Sequence, residues 1–356
     1  MKNKDIKVVF VNASLTTGGS ERVMTLVANY CASQDIQVTM LLVRLKSKTY
    51  YVAPNVNLIQ LNNNYSKIRL LFQRILDIRR EIKKANADTV VAFMEDISFF
   101  TVIACLGLHK RVILSIRNNP LRPDKKFQYW LSKHVNVHLA SKIVFQTSEA
   151  QACYSKRIMK KSIIIPNPIS ESILPPVHAY HPSNRIVAIG RMVPQKGFDM
   201  VIAAFKKFRK SNNNYTLELY GSGQELERLQ TLAKSLGIEE SVVFHGHVSD
   251  VIEKIQDARM YVSGSDFEGI SNTMLESMAS GLPVICTDCP CGGSAMVIKN
   301  RLNGILIPVR DIRAMSEAMC EIANDISFAE RLSKEAVKVR KEYSIERIGT
   351  KWIEIF

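Results

Sequence analysis

Three segments place glycines, basic side chains or carboxylates at the ends of short β-rich runs. The first is NASLTTGGSER (12–22). Gly18 and Gly19 let the backbone approach a ligand closely, Ser20 can cap the helix that follows, and free helix-start amides suit a phosphate. The competing reading is a Gly-rich turn selected for tight packing. The second is GRMVPQKGFD (190–199), which puts Arg191 and Lys196 in one loop between a strand and a helix. A planar fork donor and a point charge in one loop suit a diphosphate, against the alternative of two solvated surface charges. The third is SDFEGISNTMLESMASGLPVI (265–285). Glu268 and Gly269 stand at a strand-to-helix junction, Ser271 or Asn272 can cap the helix, and Thr273 lies in its first turn. Glu276 follows eight residues after Glu268. A capped helix start offers N–H groups to phosphate, and two carboxylates beside it accept hydrogen bonds from hydroxyls. A ligand with hydroxyls on both sides of a diphosphate, such as a nucleotide sugar, fits that arrangement. The alternative leaves Glu276 on a solvated helix face and Glu268 capping a loop.

Two other signals carry less. Cys286, Cys289 and Cys291 are closely spaced, but structural zinc needs four ligands and no second Cys or His pair stands at suitable spacing. LYGSGQEL (219–226) has a Gly-x-Gly after a strand but lacks the third small residue of a dinucleotide fingerprint.

The elements that must position these residues repeat through the chain of 356 residues. The first half alternates β-rich runs at 6–12, 38–45, 56–61, 89–94, 111–116, 142–147 and 162–167 with helical patterns at 21–32 and 66–85. After a segment with five prolines at 166–183 the pattern restarts, with runs at 184–190, 215–221, 241–246, 258–264, 282–287 and 304–309. Alternation of this kind predicts mostly parallel sheets covered on both faces. The expected fold class is α/β, with two doubly wound, Rossmann-like domains facing a central cleft. The expected bounds are a first domain at 1–170, a linker at 171–183 and a second domain at 184–343. The helix at 344–356 is expected to pack back on the first domain. No apolar run reaches the ~20 residues of a membrane span. The basic start MKNKDIKVVFVNAS moves straight into a Gly-rich turn, so it reads as a strand, not a signal peptide. Seven scattered cysteines without a secretory signal read as reduced thiols of a cytosolic protein.

GGSER, GRMVPQKGFD and the Glu-x7-Glu element EGISNTMLE, in this order and followed by SMASGLPVICTD and NGILIPV, resemble the family 4 glycosyltransferases of the GT-B fold. The resemblance covers nearly the whole chain and is strongest over 184–320. It implies a retaining hexosyltransferase that uses a nucleoside diphosphate sugar, here a UDP-sugar, by a front-face route without a protein nucleophile. It places Gly18 and Gly19 against the donor diphosphate, and it has Arg191 and Lys196 neutralise that diphosphate. Glu268 would face the sugar, the backbone from Gly269 through Ile270, Ser271 and Asn272 to Thr273 would run along sugar and phosphates, and Glu276 would bind the ribose. The base would lie near His247 and Val248. In the other major glycosyltransferase fold an Asp-x-Asp commonly holds a divalent metal. No Asp-x-Asp occurs here, so neither a metal nor a separate cofactor is expected. Where many members carry a His after the strand corresponding to RVILSI, this chain has Arg117, Asn118 and Asn119. These are the acceptor-side candidates.

The net charge of +15 is confined to one half. Residues 1–183 hold 26 Lys+Arg against 11 Asp+Glu, whereas 184–356 hold 22 of each. The stretch 66–85 is a basic amphipathic helix, either a domain helix with a solvated basic face or one that lies on an anionic membrane. The charge partition favours the membrane. The expected partners are a nucleotide sugar, a polyprenyl-diphosphate-linked glycan of surface or capsular polysaccharide assembly and the inner face of the cell membrane, with no nucleic acid. Two alternatives stand beside this reading. A UDP-sugar epimerase of the same fold would convert donor without acceptor, and a basic nucleic-acid-binding protein would bind DNA in a salt-sensitive way.

Overall fold

Each of the thirteen apolar runs becomes a strand in the computed structural model, which describes residues 5–16, 18–44, 50–61, 67–117, 119–120, 130–176 and 183–356. The first seven strands are β1 (Lys7–Asn12), β2 (Gln37–Leu42), β3 (Asn57–Gln60), β4 (Thr89–Phe93), β5 (Arg111–Ile116), β6 (Lys142–Phe145) and β7 (Ser162–Ile164). They form one sheet in the order β3-β2-β1-β4-β5-β6-β7. The other six are β8 (Arg185–Ile189), β9 (Thr216–Tyr220), β10 (Val242–Gly246), β11 (Met260–Ser263), β12 (Val284–Thr287) and β13 (Ile305–Ile307). Their order is β10-β9-β8-β11-β12-β13. All described pairings are parallel, with Phe10 opposite Met40 on one side and Val91 on the other, and Val187 opposite Glu218 and Tyr261. Parallel strands need crossovers, and helices on both faces bury them; hence β4 reads TVVAF and every residue of it is buried.

Strand order reverses between β1 and β4 in the first sheet and between β8 and β11 in the second. In open α/β sheets ligands bind outside the carboxyl ends of strands at such switch points. The loop carrying Lys196 leaves β8 and the loop carrying Glu268 leaves β11, so the topology makes neighbours of two motifs far apart in sequence.

The chain divides into two units, Met1–Pro168 with Ile345–Phe356, and Ile169–Ser344. The helix Ile345–Ile353 buries Ile348 and Trp352 in the first unit's core beside Phe10, Met24 and Phe93. Trp352 is fully buried and stacks on Phe93, ring centroids 5.4 Å apart. Arg111 donates to the carbonyls of Ile355 (3.2 Å) and Phe356 (2.6 Å), which ties the residues after this helix to the start of β5. Trp352→Ala is expected to destabilise the first unit by about 3–5 kcal/mol, read as a lower urea midpoint, because the surrounding side chains cannot collapse into the void.

The expected linker at 171–183 is corrected at its start. Chain from Ile169 onward packs with the second unit, because Ile169 is an apolar side chain with a core to enter. It is 3% exposed, and its N–H donates to the Tyr343 carbonyl at 2.7 Å. Arg340 then holds the Pro175 carbonyl and lies 3.7 Å from the Glu171 carboxylate. Residues 177–182 of that segment lie outside the described residues.

The helix Lys67–Ala85 turns Ile78 and Ile82 inward, both 0% exposed. Asp77 and Glu81 are also buried and pair with Arg80 (2.7 Å) and Lys84 (3.0 Å) at the rim. The outward face is not purely basic, since Phe72 and Leu76, one turn apart, are 71% and 57% exposed.

Candidate functional site

The site begins where β8 ends. Gly190 donates to the Tyr220 carbonyl (2.9 Å) and Met192 to Ser222 (2.9 Å), while Glu225 donates back to Met192 (3.0 Å). The 221–225 loop, whose incomplete fingerprint argues against dinucleotide binding, therefore supports the Arg191 loop. A single 3-10 turn, Pro194–Lys196, follows and aims the Lys196 side chain across the switch point. Gly197 then adopts φ +60° with its α-carbon against Gly264; a Cβ there would collide with the Gly264 carbonyl, so the close approach of the two loops requires glycine.

Across that approach Lys196 Nζ lies 2.6 Å from Glu268 Oε2, with side chains 16% and 20% exposed. The solvated-charge alternative thus does not describe Lys196. Arg191, in the same loop, is exposed. Backbone bonds lock the same two segments: Asp266 donates to the Gln195 carbonyl (2.8 Å) and Gln195 Nε2 to the Phe267 carbonyl (2.9 Å). Glu268 is held from the other side by the 288–293 turn, donating to Pro290 (2.7 Å) and accepting from Cys291 (3.1 Å). Gly293 fits directly against the Gly269 carbonyl, where a Cβ would clash. Sequence patterning gave no sign of this support. The cysteines of that turn are buried, and burial pushes the Cys289 thiol up to about 11, so they pack as neutral side chains.

The helix Asn272–Ala279 starts four residues after Glu268. Ser271 caps it, its hydroxyl accepting from Met274 N–H at 3.4 Å, and the Thr273 hydroxyl lies 3.1 Å from that of Tyr261. Ile270 is 3% exposed and anchors the loop in the core, leaving Gly269, Ser271, Asn272 and Thr273 half-buried around it. Glu276 lies one turn beyond Thr273 and is 4% exposed. A solvated helix face is therefore excluded for it. Val248 is half-buried against the core and His247 is exposed, in the loop after β10.

A second charged group runs along β8 and β9 from the start of β8. Arg185 grips Glu218 with two bonds of 2.8 Å and Asp257 with one of 2.5 Å. Tyr220 Oη donates to Glu218 (2.7 Å), and His245 stacks on Tyr220 with centroids 4.4 Å apart. Burial alone would raise the Glu218 carboxyl, but the Arg185 and Tyr220 hydrogen bonds and the Arg185 charge outweigh it and bring it down to about 2. Because the folded value lies below the ordinary 4.5, the stability this gives is full above that pH and is lost as pH falls from 4.5 through about 2. Glu218→Gln is expected to flatten the stability profile across that window, as measured by urea unfolding at stepped pH.

In the first unit Gly18 precedes the helix Gly19–Ser33. The Glu21 carboxylate, which accepts from Ser20 Oγ (2.8 Å), folds over Gly18 so closely that a Cβ there would collide with it. Arg117 is 8% exposed, donates to Ser115 (2.7 Å) and Asn167 (2.6 Å), and lies over the Phe93 ring at 5.0 Å. Burial pulls it down to about 9, with the Glu95 charge opposing. Its described contacts are thus interior ones. Asn119 is half-buried, and Asn118 lies outside the described residues.

Two family models together span most of the chain: "Glycosyltransferase Family 4" over residues 17–172 and "Glycosyl transferases group 1" over residues 171–339. With the two parallel sheets, these define the class, a glycosyltransferase of the GT-B fold. Within it, the chain belongs to family 4. A Haemophilus influenzae protein described as an uncharacterised glycosyltransferase is 27% identical over 340 residues, covering 95% of this chain and 96% of its own. A Campylobacter jejuni α-1,4-N-acetyl-D-galactosaminyltransferase, named for a diNAcBac-PP-undecaprenol-linked acceptor, is 24% identical and covers 98% of each chain. Among solved structures, Anabaena HepE in complex with UDP and glucose superposes with a TM-score of 0.80 at 16% identity, covering 98% of each chain.

Proposed function

We propose that the chain transfers a hexose or N-acetylhexosamine from a UDP-sugar, with retention at the anomeric carbon and without a metal, to a polyprenyl-diphosphate-linked glycan in surface polysaccharide assembly. The observation that carries this reading is the 2.6 Å contact of Lys196 with Glu268 beside the Ser271-capped helix start and the buried Glu276. When the bond from the sugar C1 to the diphosphate oxygen breaks, its electron pair leaves on the diphosphate and positive charge builds on the ring. Lys196, Arg191 and the helix-start amides stabilise the first charge. Glu268 stabilises the second. The acceptor oxygen bonds to C1 on the face the diphosphate leaves, and its proton passes to a phosphate oxygen of the leaving group.

In this reading Glu276 accepts hydrogen bonds from the ribose, Gly269 to Thr273 line the sugar and phosphates, and the base lies by His247 and Val248. Gly18 and Gly19 approach a phosphate of the donor. In this reading fixed cations take the place of a metal, and no cofactor is invoked. The test is UDP release from a panel of UDP-sugars in the presence of EDTA. Activity that EDTA abolishes and magnesium restores argues against the metal-free mechanism.

The acceptor reading rests on the charge confined to the first half and on the acceptor for which the Campylobacter relative is named. Among the described residues no helix is long and apolar enough to cross a membrane. The proposed attachment is peripheral, at the inner face of the cell membrane, through the exposed Phe72 and Leu76 with the surrounding basic residues. Vesicles of phosphatidylglycerol are expected to sediment the protein and vesicles of phosphatidylcholine to leave it in solution. Phe72→Ser with Leu76→Ser should weaken binding to the phosphatidylglycerol vesicles about 100-fold, because each apolar side chain contributes about 1.5 kcal/mol when it leaves water for the lipid. Equal sedimentation of the parent with both lipids contradicts the charge argument.

A further inference from the structure

Arg310, in the loop after β13, adopts φ +61°, a conformation glycine takes freely and arginine does not. Its guanidinium makes a three-way contact. Nε and Nη2 donate to the two oxygens of Asp266, both at 2.5 Å, and Nη1 donates to Asp199 at 2.9 Å. Asp266 stands two residues before Glu268, and Asp199 three residues after Lys196. One side chain thus ties the Glu268 loop to the first turn of the helix Phe198–Phe208, into which the Lys196 loop runs. Gln195 links the same loops from within, through its carbonyl and its side-chain amide.

We propose that Arg310 is a positioning residue that holds the Lys196 and Glu268 loops in register, so that the charges meeting the leaving diphosphate and the sugar keep their spacing through turnover. The inference rests on the donor reading of those two residues. A surface ion pair with one partner contributes little, since two flexible side chains must be ordered in water. The planar fork differs because it matches the Asp266 carboxylate on both oxygens and leaves a third donor for Asp199. Arg228 is the natural control. It reaches Asp199 (3.6 Å) and Glu225 (2.6 Å), and no contact with Asp266 is described for it.

The experiment compares the parent chain with Arg310→Gly, Arg310→Lys and Arg228→Ala. Glycine suits the backbone at this position, so Arg310→Gly is expected to keep the parent's melting temperature. Amide hydrogen exchange in 193–199 and 264–271 is expected to accelerate about fivefold in the Gly and Lys variants and to stay at the parent's rate in Arg228→Ala. UDP release from UDP-glucose is expected to show kcat about tenfold lower in Arg310→Gly, with KM within about threefold of the parent. Parent-like exchange in both segments overturns the proposal, as does parent-like kcat in a parent that turns over. Faster exchange in a protein whose parent fails to bind UDP by calorimetry leaves the clamp in place and removes the donor reading instead.

Discussion

Lys196→Ala is expected to lower sugar transfer by about 100- to 1,000-fold, the range seen when one fixed donor to a developing anion is removed. The loss should fall mainly on kcat, because the charge on the diphosphate grows as the bond to the sugar breaks. The geometry adds a second consequence. Glu268 is only 20% exposed at its side chain and has Lys196 at 2.6 Å. Removing the lysine leaves that carboxylate in a half-buried setting without its counter-charge, so a local rearrangement accompanies the loss. Lys196→Ala combined with Glu268→Gln should cost far less than the sum of the single effects, since the pair acts as a unit. Initial rates of UDP release with acceptor present measure both. Near-normal turnover in Lys196→Ala contradicts the placement of this side chain on the diphosphate.

Glu276→Ala carries the second large effect, on binding. A carboxylate that is 4% exposed on a helix beside a phosphate-compatible loop can accept hydrogen bonds from two neighbouring hydroxyls at once. Hydrogen bonds to a charged group contribute about 1.5–3 kcal/mol each, so losing two of them should weaken UDP binding by about 100-fold or more by calorimetry. Glu276→Gln keeps one acceptor oxygen and should fall between. Unchanged affinity for UDP in Glu276→Ala would refute the ribose assignment.

Much of this arrangement was legible in the residues. Strands of a covered parallel sheet are short apolar runs, and runs such as IKVVFVN, RVILSI and LPVICT mark theirs to within a few residues. The switch points could not be read in the same way, because strand order depends on which runs pair. Only the topology shows that the Lys196 and Glu268 loops leave neighbouring strands. The motif spacing located Glu268, Ser271 and Glu276, yet burial decided between a solvated and an enclosed Glu276. Arg310 left no trace in the pattern, since an arginine at positive φ looks like any surface charge until Asp199 and Asp266 are found beside it. Arg117 adds what its position in the sequence does not carry, since its side chain is engaged with Ser115, Asn167 and Phe93.

The charge of the first half and the ion pair of the second make one claim together, that a sugar moves from a nucleotide to a lipid-linked glycan. Mass spectrometry of reactions that cross UDP- and GDP-sugars with short polyprenyl-diphosphate glycans tests it directly. The account predicts a glycan heavier by one sugar residue with a UDP-sugar, an α-linked product from an α-linked donor, and no product without the acceptor. A donor epimerised in the absence of any glycan, or a glycan of unchanged mass with every donor while the protein binds DNA in a salt-sensitive way, would contradict it.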